Sequence, residues 1–174
     1  MLDDLARRAA HGDAVAFADL VRATQQDVWR ACAALVDGDA ADDLAQETYL
    51  RAYRSLGRFD GRSSVRTWLL SIARHVCVDE IRVRTRRRRP AVAESRAAVA
   101  DHSGQVELAV VLDSLDSERR EAFVLTQVVG LSYLEAAQVC GCPVGTIRSR
   151  VARARSDLVA ALADDEATAP PQPR

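Results

Sequence analysis

The hydrophobic pattern of residues 13–36 has the periodicity of one long α-helix. Apolar residues recur at intervals of three and four, so they fall on one side of a helix with about 3.6 residues per turn. We expect Gly38 to end this helix. The predicted apolar face consists of Val15, Ala18, Val21, Val28, Cys32 and Leu35.

Two further helices are predicted in the first half of the chain. One covers residues 40–56. A loop is expected next, over "GRFDGRSS" at 57–64, because glycines interrupt the helical pattern there. A long helix then runs to Pro90, and Ser63 or Ser64 is expected to cap its start.

The second half of the chain is predicted to form a separate helical domain. Residues 91–105 lack a firm period and are interpreted as a linker, and no stretch alternates as a β-strand does. The predicted fold is therefore all-α, with a domain at 1–90 and a second at 106–163. A disordered tail is expected at 164–174.

A helix-turn-helix is predicted within the second domain. Ser132 and Glu135 have the spacing of a capping box, which predicts a helix that starts there and stops at Gly141. Pro143 suits the first position of the next helix. Two helices joined by so short a turn are typical of DNA-binding modules.

The helix after Pro143 places its arginines away from its apolar face. Ile147, Val151, Ala154 and Leu158 form that face, with Leu162 at its edge. Such a helix can enter a major groove with its first turns against base edges. Arg148, Ser149 and Arg153 are the predicted base readers; an exposed helix charged for solubility is the alternative. The remaining polar residues of the predicted interface are Thr146, which lies nearly opposite the apolar face, and Arg150 and Arg155, which flank it.

Charge is strongly segregated along a chain whose formal net charge is only −1. Residues 51–90 carry +9 and residues 143–162 carry +3, whereas 1–50 carry −6 and 91–142 carry −5. Two separate basic surfaces indicate two contacts with one polyanion, and they leave acidic surfaces for another partner. Because opposite charges are joined in one chain, we also expect intramolecular contact to cover the basic surfaces, including that of the second domain.

The basic block mixes arginines with aromatic residues, as single-stranded nucleic acid requires for stacking and phosphate contacts. Each aromatic residue alone is more typical of a core, and Trp68 fits either role. The run "RVRTRRRR" at 82–89 is interpreted as a phosphate clamp. The arginines and aromatics of this block are Arg58, Arg62, Arg66 and Arg74 with Tyr49, Tyr53, Phe59 and Trp68.

Other classes of protein find little support in the sequence. No apolar run is long enough to span a membrane and the first residues are too polar for a signal peptide, so a cytoplasmic location is expected. No carboxylate cluster, metal-ligand set or phosphate loop predicts an enzyme, a cofactor or a metal site; Asp79 and Glu80 are interpreted as a surface pair. Cys140 and Cys142 could instead form a metal or redox pair, with His75 or His102 as a further ligand, but a buried structural role is favoured.

Three segments resemble the bacterial extracytoplasmic-function sigma factors: "ADDLAQETYLRAY" (41–53), "GRSSVRTWLLSIARHVCVDEIR" (61–82) and "LSYLEAAQVCGCPVGTIRSRVARAR" (131–155). With "TQQDVWR" at 24–30, the chain is most similar to the SigC type of actinobacteria. The resemblance implies a dissociable subunit of RNA polymerase. Its first domain would recognise and melt the promoter minus-ten element, and its second would read the minus-thirty-five element.

The resemblance also implies roles for individual residues. The minus-thirty-five readers match Arg148, Ser149, Arg150 and Arg153. The linker matches a segment that threads toward the active centre and RNA exit channel of the polymerase. Residues implied at the minus-ten element are Arg58, Arg62, Ser63, Ser64, Arg66, Trp68, Arg74 and Arg82.

The expected partners are double- and single-stranded promoter DNA, the polymerase core through its β′ clamp helices and β flap, and an anti-sigma factor as a further candidate. The docking helix on the clamp matches the acidic segment with Asp42, Asp43, Gln46 and Glu47. A free-standing helix-turn-helix regulator is the alternative function. It would explain 131–158, but neither the arginine-aromatic block nor the acidic helix.

Overall fold

The computed structural model describes the backbone of residues 1–88 and 112–168, and the side chains of 1–87 and 112–163. The predicted linker at 91–105 lies outside these ranges. Within them the regular structure is helical, with a 3₁₀ turn at Leu56–Arg58 and a π turn at Val124–Val128. The α-helices are α1 (Leu2–Ala10), α2 (Ala14–Leu35), α3 (Gly38–Ser55), α4 (Val65–Arg88), α5 (Ser117–Phe123), α6 (Tyr133–Cys140) and α7 (Val144–Thr168).

Short polar side chains cap the starts of several helices. Asp13, Asp37 and Asp116 each accept a hydrogen bond from the backbone N–H three residues later, at 2.9, 2.8 and 3.0 Å. Ser64 Oγ accepts from the Thr67 N–H at 3.1 Å, so Ser64 rather than Ser63 caps α4. Gly38 was expected to end α2, but it is the first residue of α3, because Asp37 starts a new helix directly after α2 ends.

The buried face of α2 differs from the prediction in its first half. Val15 is 66% exposed, and the buried positions are Ala16, Leu20, Thr24 and Val28. Thr24 can occupy the core because its Oγ1 bonds to the Leu20 carbonyl at 2.7 Å and to the Tyr49 hydroxyl at 2.8 Å. A polar residue with satisfied hydrogen bonds thus sets the helical phase, which an apolar pattern does not reveal.

The first four helices pack into one bundle. Helix α2 packs against α1, α3 and α4, and α3 packs against α4. Beneath α1, a cluster of buried residues joins α1 to the start of α4. That cluster consists of Ala6, Ala9, Ala16, Leu20, Ala52, Leu56, Val65 and Leu69.

The helix-turn-helix forms as predicted. Ser132 and Glu135 make both hydrogen bonds of a capping box, and Gly141 ends α6 in the left-handed region with φ 64°. Pro143 directly precedes α7, and its carbonyl accepts from the Thr146 N–H at 2.9 Å. Helix α7 continues through 164–168, the first residues of the predicted tail, and 169–174 lie outside the described residues.

The two helical units, 1–88 and 112–168, pack against each other. A single cluster of buried residues includes Leu35 and Val76 of the first unit with Leu115 and Leu125 of the second. The sequence predicted two domains and a linker, and it gave no indication of an apolar seam between them. This seam determines which basic residues remain exposed.

Candidate nucleic-acid and polymerase interfaces

Helix α7 presents an exposed arginine face. Ile147, Val151 and Ala154 are buried as predicted and hold the opposite face against α5 and α6. Arg148 and Arg153 are exposed, and among the described residues neither forms an ion pair. Ser149 is also exposed, with its Oγ donating to the Thr146 carbonyl at 2.9 Å; Thr146 itself is half-buried. The predicted readers therefore share an open surface.

Arg150 and Arg155 are bound at the edges of that surface. Arg150 pairs with Glu118 of α5 at 2.5 Å, and its side chain is only 19% exposed. Its NH1 also lies 3.8 Å from Cys142 Sγ. Arg155 donates to Gln127 Oε1 at 2.8 Å. Arg150 therefore links α7 to α5, and Arg155 links α7 to the π turn, as expected for residues that flank the apolar face.

The loop before α4 carries the predicted minus-ten residues that stay accessible. Arg58 and Arg62 are exposed, and Arg62 pairs with Asp60. Ser63 is half-buried, and Ser64 is committed to capping α4. The rings of Phe59 and Trp68 lie 5.3 Å apart between centroids. Trp68 is half-buried against the cluster under α1, so part of its side chain packs in the core and part remains exposed to solvent.

Arg66 and Arg74, two further predicted minus-ten residues, are bound within the seam between the units. Arg66 Nε donates to Asp27 at 2.7 Å, and its NH2 donates to the Val129 carbonyl of the second unit, also at 2.7 Å. Arg74 Nε donates to Glu121 of α5 at 2.7 Å. Intramolecular masking therefore falls on two of the predicted minus-ten arginines, whereas no described residue outside the second unit covers the arginine face of α7.

The outer face of α4 carries a polar residue that the sequence analysis did not select for nucleic-acid binding. His75 is exposed, seven positions after Trp68 and seven before Arg82, so the three share one helix face. Its Nδ1 lies 2.6 Å from the Ser71 carbonyl, which only accepts; Nδ1 therefore donates and Nε2 remains an outward acceptor. The seven-residue spacing is the signal that could have identified it. Arg82 is exposed.

The acidic face of α3 is exposed beside Trp29. Asp42 accepts a hydrogen bond from Trp29 Nε1 at 2.8 Å, and Asp43 and Gln46 are exposed. Glu47 pairs with Arg51 at 2.7 Å. A groove between α2 and α3 is lined by Asp42 and Gln46 together with Trp29, and Asp43 and Glu47 lie next to these two residues in sequence on α3.

The cysteines are free thiols in the residues described, which include all four. Burial raises the pKa of Cys140 to about 11, so this thiol stays protonated at neutral pH. Among the side chains described, those of 1–87 and 112–163, no group of three His, Cys, Asp or Glu is placed to hold a metal ion. Nor does any helix of these ranges have the length and apolar character of a membrane span.

Two family models match this chain in the order of its two units. The model for Sigma-70 region 2 matches residues 20–87, which contain most of α2, all of α3, the loop before α4 and α4 up to its last residue. The model for Sigma-70, region 4 matches residues 105–158, which contain the helix-turn-helix.

Similar proteins extend these matches over most of the chain. The ECF RNA polymerase sigma factor SigC of Mycobacterium tuberculosis is 51% identical, covering 94% of this chain and 92% of its own. The ECF RNA polymerase sigma factor EcfG of Rhodopseudomonas palustris is 40% identical, and the match covers 75% of this chain and 76% of EcfG.

Two solved structures have the same fold. CnrH, solved with the cytosolic domain of CnrY, has a TM-score of 0.77 at 31% identity and covers 92% of this chain and 96% of its own. The sigma factor RpoE of Bartonella quintana, solved with the anti-sigma factor NepR, has a TM-score of 0.70 at 32% identity. The match covers 82% of this chain and 93% of RpoE. The helical units and the matches together define a sigma factor, a transcription initiation factor of bacterial RNA polymerase. Within that class, the chain belongs to the extracytoplasmic-function (ECF) sigma factors.

Proposed function

We propose that this sigma factor reads the minus-thirty-five element with Arg148, Ser149 and Arg153 of α7. The observation that carries this assignment is the exposed α7 face, on which Arg148 and Arg153 lack ion-pair partners among the described residues. Arginine forks can contact guanine edges in the major groove, and Arg155, at the flank, can reach phosphate. Thr146 and Arg150 are half-buried residues of α7 and support this exposed face from within the second unit.

The minus-ten element is bound by the loop before α4 and by the adjoining face of α4. Exposed Arg58, Arg62 and Arg82 provide phosphate contacts, and the Phe59–Trp68 pair provides a stacking platform for an unpaired base. His75 adds a hydrogen-bond acceptor on the same face. The remaining residues of this site, Ser63, Ser64, Arg66 and Arg74, lie at the start of α4 or on its seam side.

The polymerase core docks on α3. Exposed carboxylates at Asp42 and Asp43, with Gln46 and Glu47 one turn on, suit the basic side of a helical partner such as the β′ clamp helices. The second unit is expected to contact the β flap. Catalysis of RNA synthesis then belongs to the polymerase and not to this chain, which acts with it in the cytoplasm.

The closed packing of the two units supports a role for the core in opening the protein. Because Arg66 and Arg74 are bound to Val129 and Glu121 of the second unit, the minus-ten site is incomplete in this arrangement. Core would bind the open arrangement better and so shift the population toward it. CnrH and RpoE were solved with protein partners; we propose that an anti-sigma factor can likewise bind this chain.

Reconstitution with core polymerase tests the proposed function. Purified protein, core and a promoter template should give specific run-off transcripts, and either component alone should give none. A free-standing helix-turn-helix regulator would bind its operator specifically without core and would not restore initiation to core. That outcome would overturn the proposed function.

A further inference from the structure

Helix α1 is the one described α-helix that lies before the segment matched by the Sigma-70 region 2 model, which starts at residue 20. It is nevertheless tied directly to the start of α4. Asp3 Oδ1 accepts a hydrogen bond from the Val65 N–H at 2.7 Å, across 62 positions of sequence. Val65 is the first residue of α4, so α1 reaches the point where the minus-ten loop becomes a helix.

The Asp3 contact adds a second cap to the start of α4. The first N–H groups of a helix have no partner within the helix, and a carboxylate placed there is also favoured by the helix dipole. Ser64 satisfies the Thr67 N–H at 3.1 Å, and Asp3 satisfies that of Val65. One cap comes from the loop itself and the other from α1, so α1 fixes the loop relative to α4.

Helix α1 also supports the aromatic pair of the loop. Ala6 and Ala9 are buried in the same cluster as Val65 and Leu69. Around this cluster, Leu2 and Leu5 of α1 are half-buried, as are Phe59 and Trp68. The stacking platform and α1 therefore share one apolar base.

A cleft of about 670 Å³ opens between α1 and the loop. Asp3 and Arg7 line its α1 side, residues 59–64 line the loop side, and α6 contributes Glu135 to a third side. Arg7 is 72% exposed, and its one ion pair among the described residues is a 3.4 Å contact with Asp4. Separation of the two units would remove the α6 side and leave Arg7 beside the loop on one open surface.

We propose that α1 is part of the minus-ten strand-binding surface. Arg7 contacts a phosphate of the unpaired strand, and Asp3 is a positioning residue that acts through Val65. This inference rests on the proposed function of the loop and α4. The nearby carboxylates leave Arg7 available: Asp3 is bound to a helix N-terminus, Asp60 is paired with Arg62, and the 3.4 Å contact of Asp4 with Arg7 is exposed to solvent and weak.

The Arg7 contact is tested with the holoenzyme formed from core and full-length protein, using a labelled single-stranded minus-ten oligonucleotide. Arg7→Ala should weaken binding about three- to tenfold and reduce the salt dependence by about 0.7 in slope, the loss of one single-strand phosphate contact. Arg8→Ala is the matched control: Arg8 is the next residue of α1, but it pairs with Asp13 at 2.7 Å and does not line the cleft. It should bind as wild type does.

The Asp3 contact is tested by comparing Asp3→Ala with Asp3→Asn. Asn keeps a side-chain oxygen that can accept from the Val65 N–H, so it should restore most of the oligonucleotide affinity that Ala loses. Neither change should alter the affinity for core or for a minus-thirty-five duplex, which a general loss of folding would lower. Equal binding by wild type, Arg7→Ala and Asp3→Ala would overturn this inference and leave the proposed function intact. Failure of the wild-type holoenzyme to bind the oligonucleotide would overturn both.

Discussion

Arg74 Nε lies 2.7 Å from Glu121 Oε2, and this ion pair joins α4 of the first unit to α5 of the second. The side chains are 22% and 12% exposed. Burial lowers the pKa of the Arg74 guanidinium, but the hydrogen bond and charge of Glu121 outweigh it and the pKa is raised. A predicted DNA-binding arginine is thus held by an acidic residue of the second unit.

Removing the Glu121 carboxylate should favour separation of the two units. Glu121→Gln removes the charge that holds Arg74, and breaking such a half-buried pair should destabilise the closed packing by on the order of 1–3 kcal/mol. Because 1.4 kcal/mol corresponds to about tenfold, the affinity of the isolated protein for a minus-ten single strand should rise by about five- to 150-fold. Fluorescence anisotropy without core measures this.

The matched control for that experiment is Glu118→Gln. Glu118 lies on the same helix, but it pairs with Arg150 of the second unit and not across the seam. It should leave minus-ten affinity unchanged. An equal gain from both variants would mean that a general loss of negative charge, and not opening, raises affinity.

The isolated full-length chain should bind a minus-thirty-five duplex as tightly as a fragment starting near residue 105. The physical reason is that Arg148 and Arg153 are exposed in the closed packing. Anisotropy at matched salt compares the two proteins. Weaker binding by the full-length chain would show that α7 is covered after all, as the charge pattern had led us to expect.

Arg148→Ala and Arg155→Ala should have different effects on recognition of the minus-thirty-five element. Arg148→Ala should cost about 1–3 kcal/mol at one base position and relax preference there, because it removes a base contact from the exposed face. Arg155→Ala should weaken all sites alike, since Arg155 lies at the flank and is held by Gln127. Run-off transcription from single-base minus-thirty-five variants measures both. The assignment is wrong if the two variants lose the same amount on every template.

Reversing charge on α3 should abolish docking on core. Asp43→Arg with Glu47→Arg replaces attraction by repulsion on an exposed surface, and the fold should survive. Pull-down with core measures the effect. Glu47 also pairs with Arg51, so Arg51→Ala is a control that breaks this pair and a second one with Asp79 of α4, each worth about 0–1 kcal/mol, while both carboxylates on α3 remain. Undiminished binding by the folded double variant would show that core docks on another surface of this protein.

The capping box of α6 should make a pH-dependent contribution to stability. Ser132→Ala should lower the free energy of unfolding by about 1 kcal/mol at neutral pH. Hydrogen bonds from the Ser132 side chain and backbone lower the pKa of Glu135 from its usual 4.5, so their contribution is present above that pH. It is lost as pH falls through the lowered value, and the gap between wild type and variant should narrow there.

Thermal unfolding from neutral to acidic pH measures that gap. Ser156→Ala, which removes an exposed serine of α7, should cost little at any pH. A gap for Ser132→Ala that stays constant down to pH values well below 4.5 would contradict the role of Glu135 in the cap.

The sequence by itself determined the helices, the helix-turn-helix and the family, because these depend on local rules. The Ser132–Glu135 spacing, the left-handed Gly141 and the apolar face of α7 are short-range features, and each is present in the structure. The charge blocks likewise identified the chain as a nucleic-acid-binding protein. Local rules misplaced the buried face of α2, since the hydrogen bonds of Thr24 include one to Tyr49 on another helix.

Only the tertiary structure decided which arginines are available. Arg66, Arg74, Arg148 and Arg153 are alike in sequence, but the first two are bound to groups 63 and 47 positions away, and the last two are exposed. The hydrogen bond from Val65 to Asp3 is equally remote in sequence. No periodicity encodes such pairs, because they form only when apolar packing brings distant helices together and leaves specific donors facing specific acceptors.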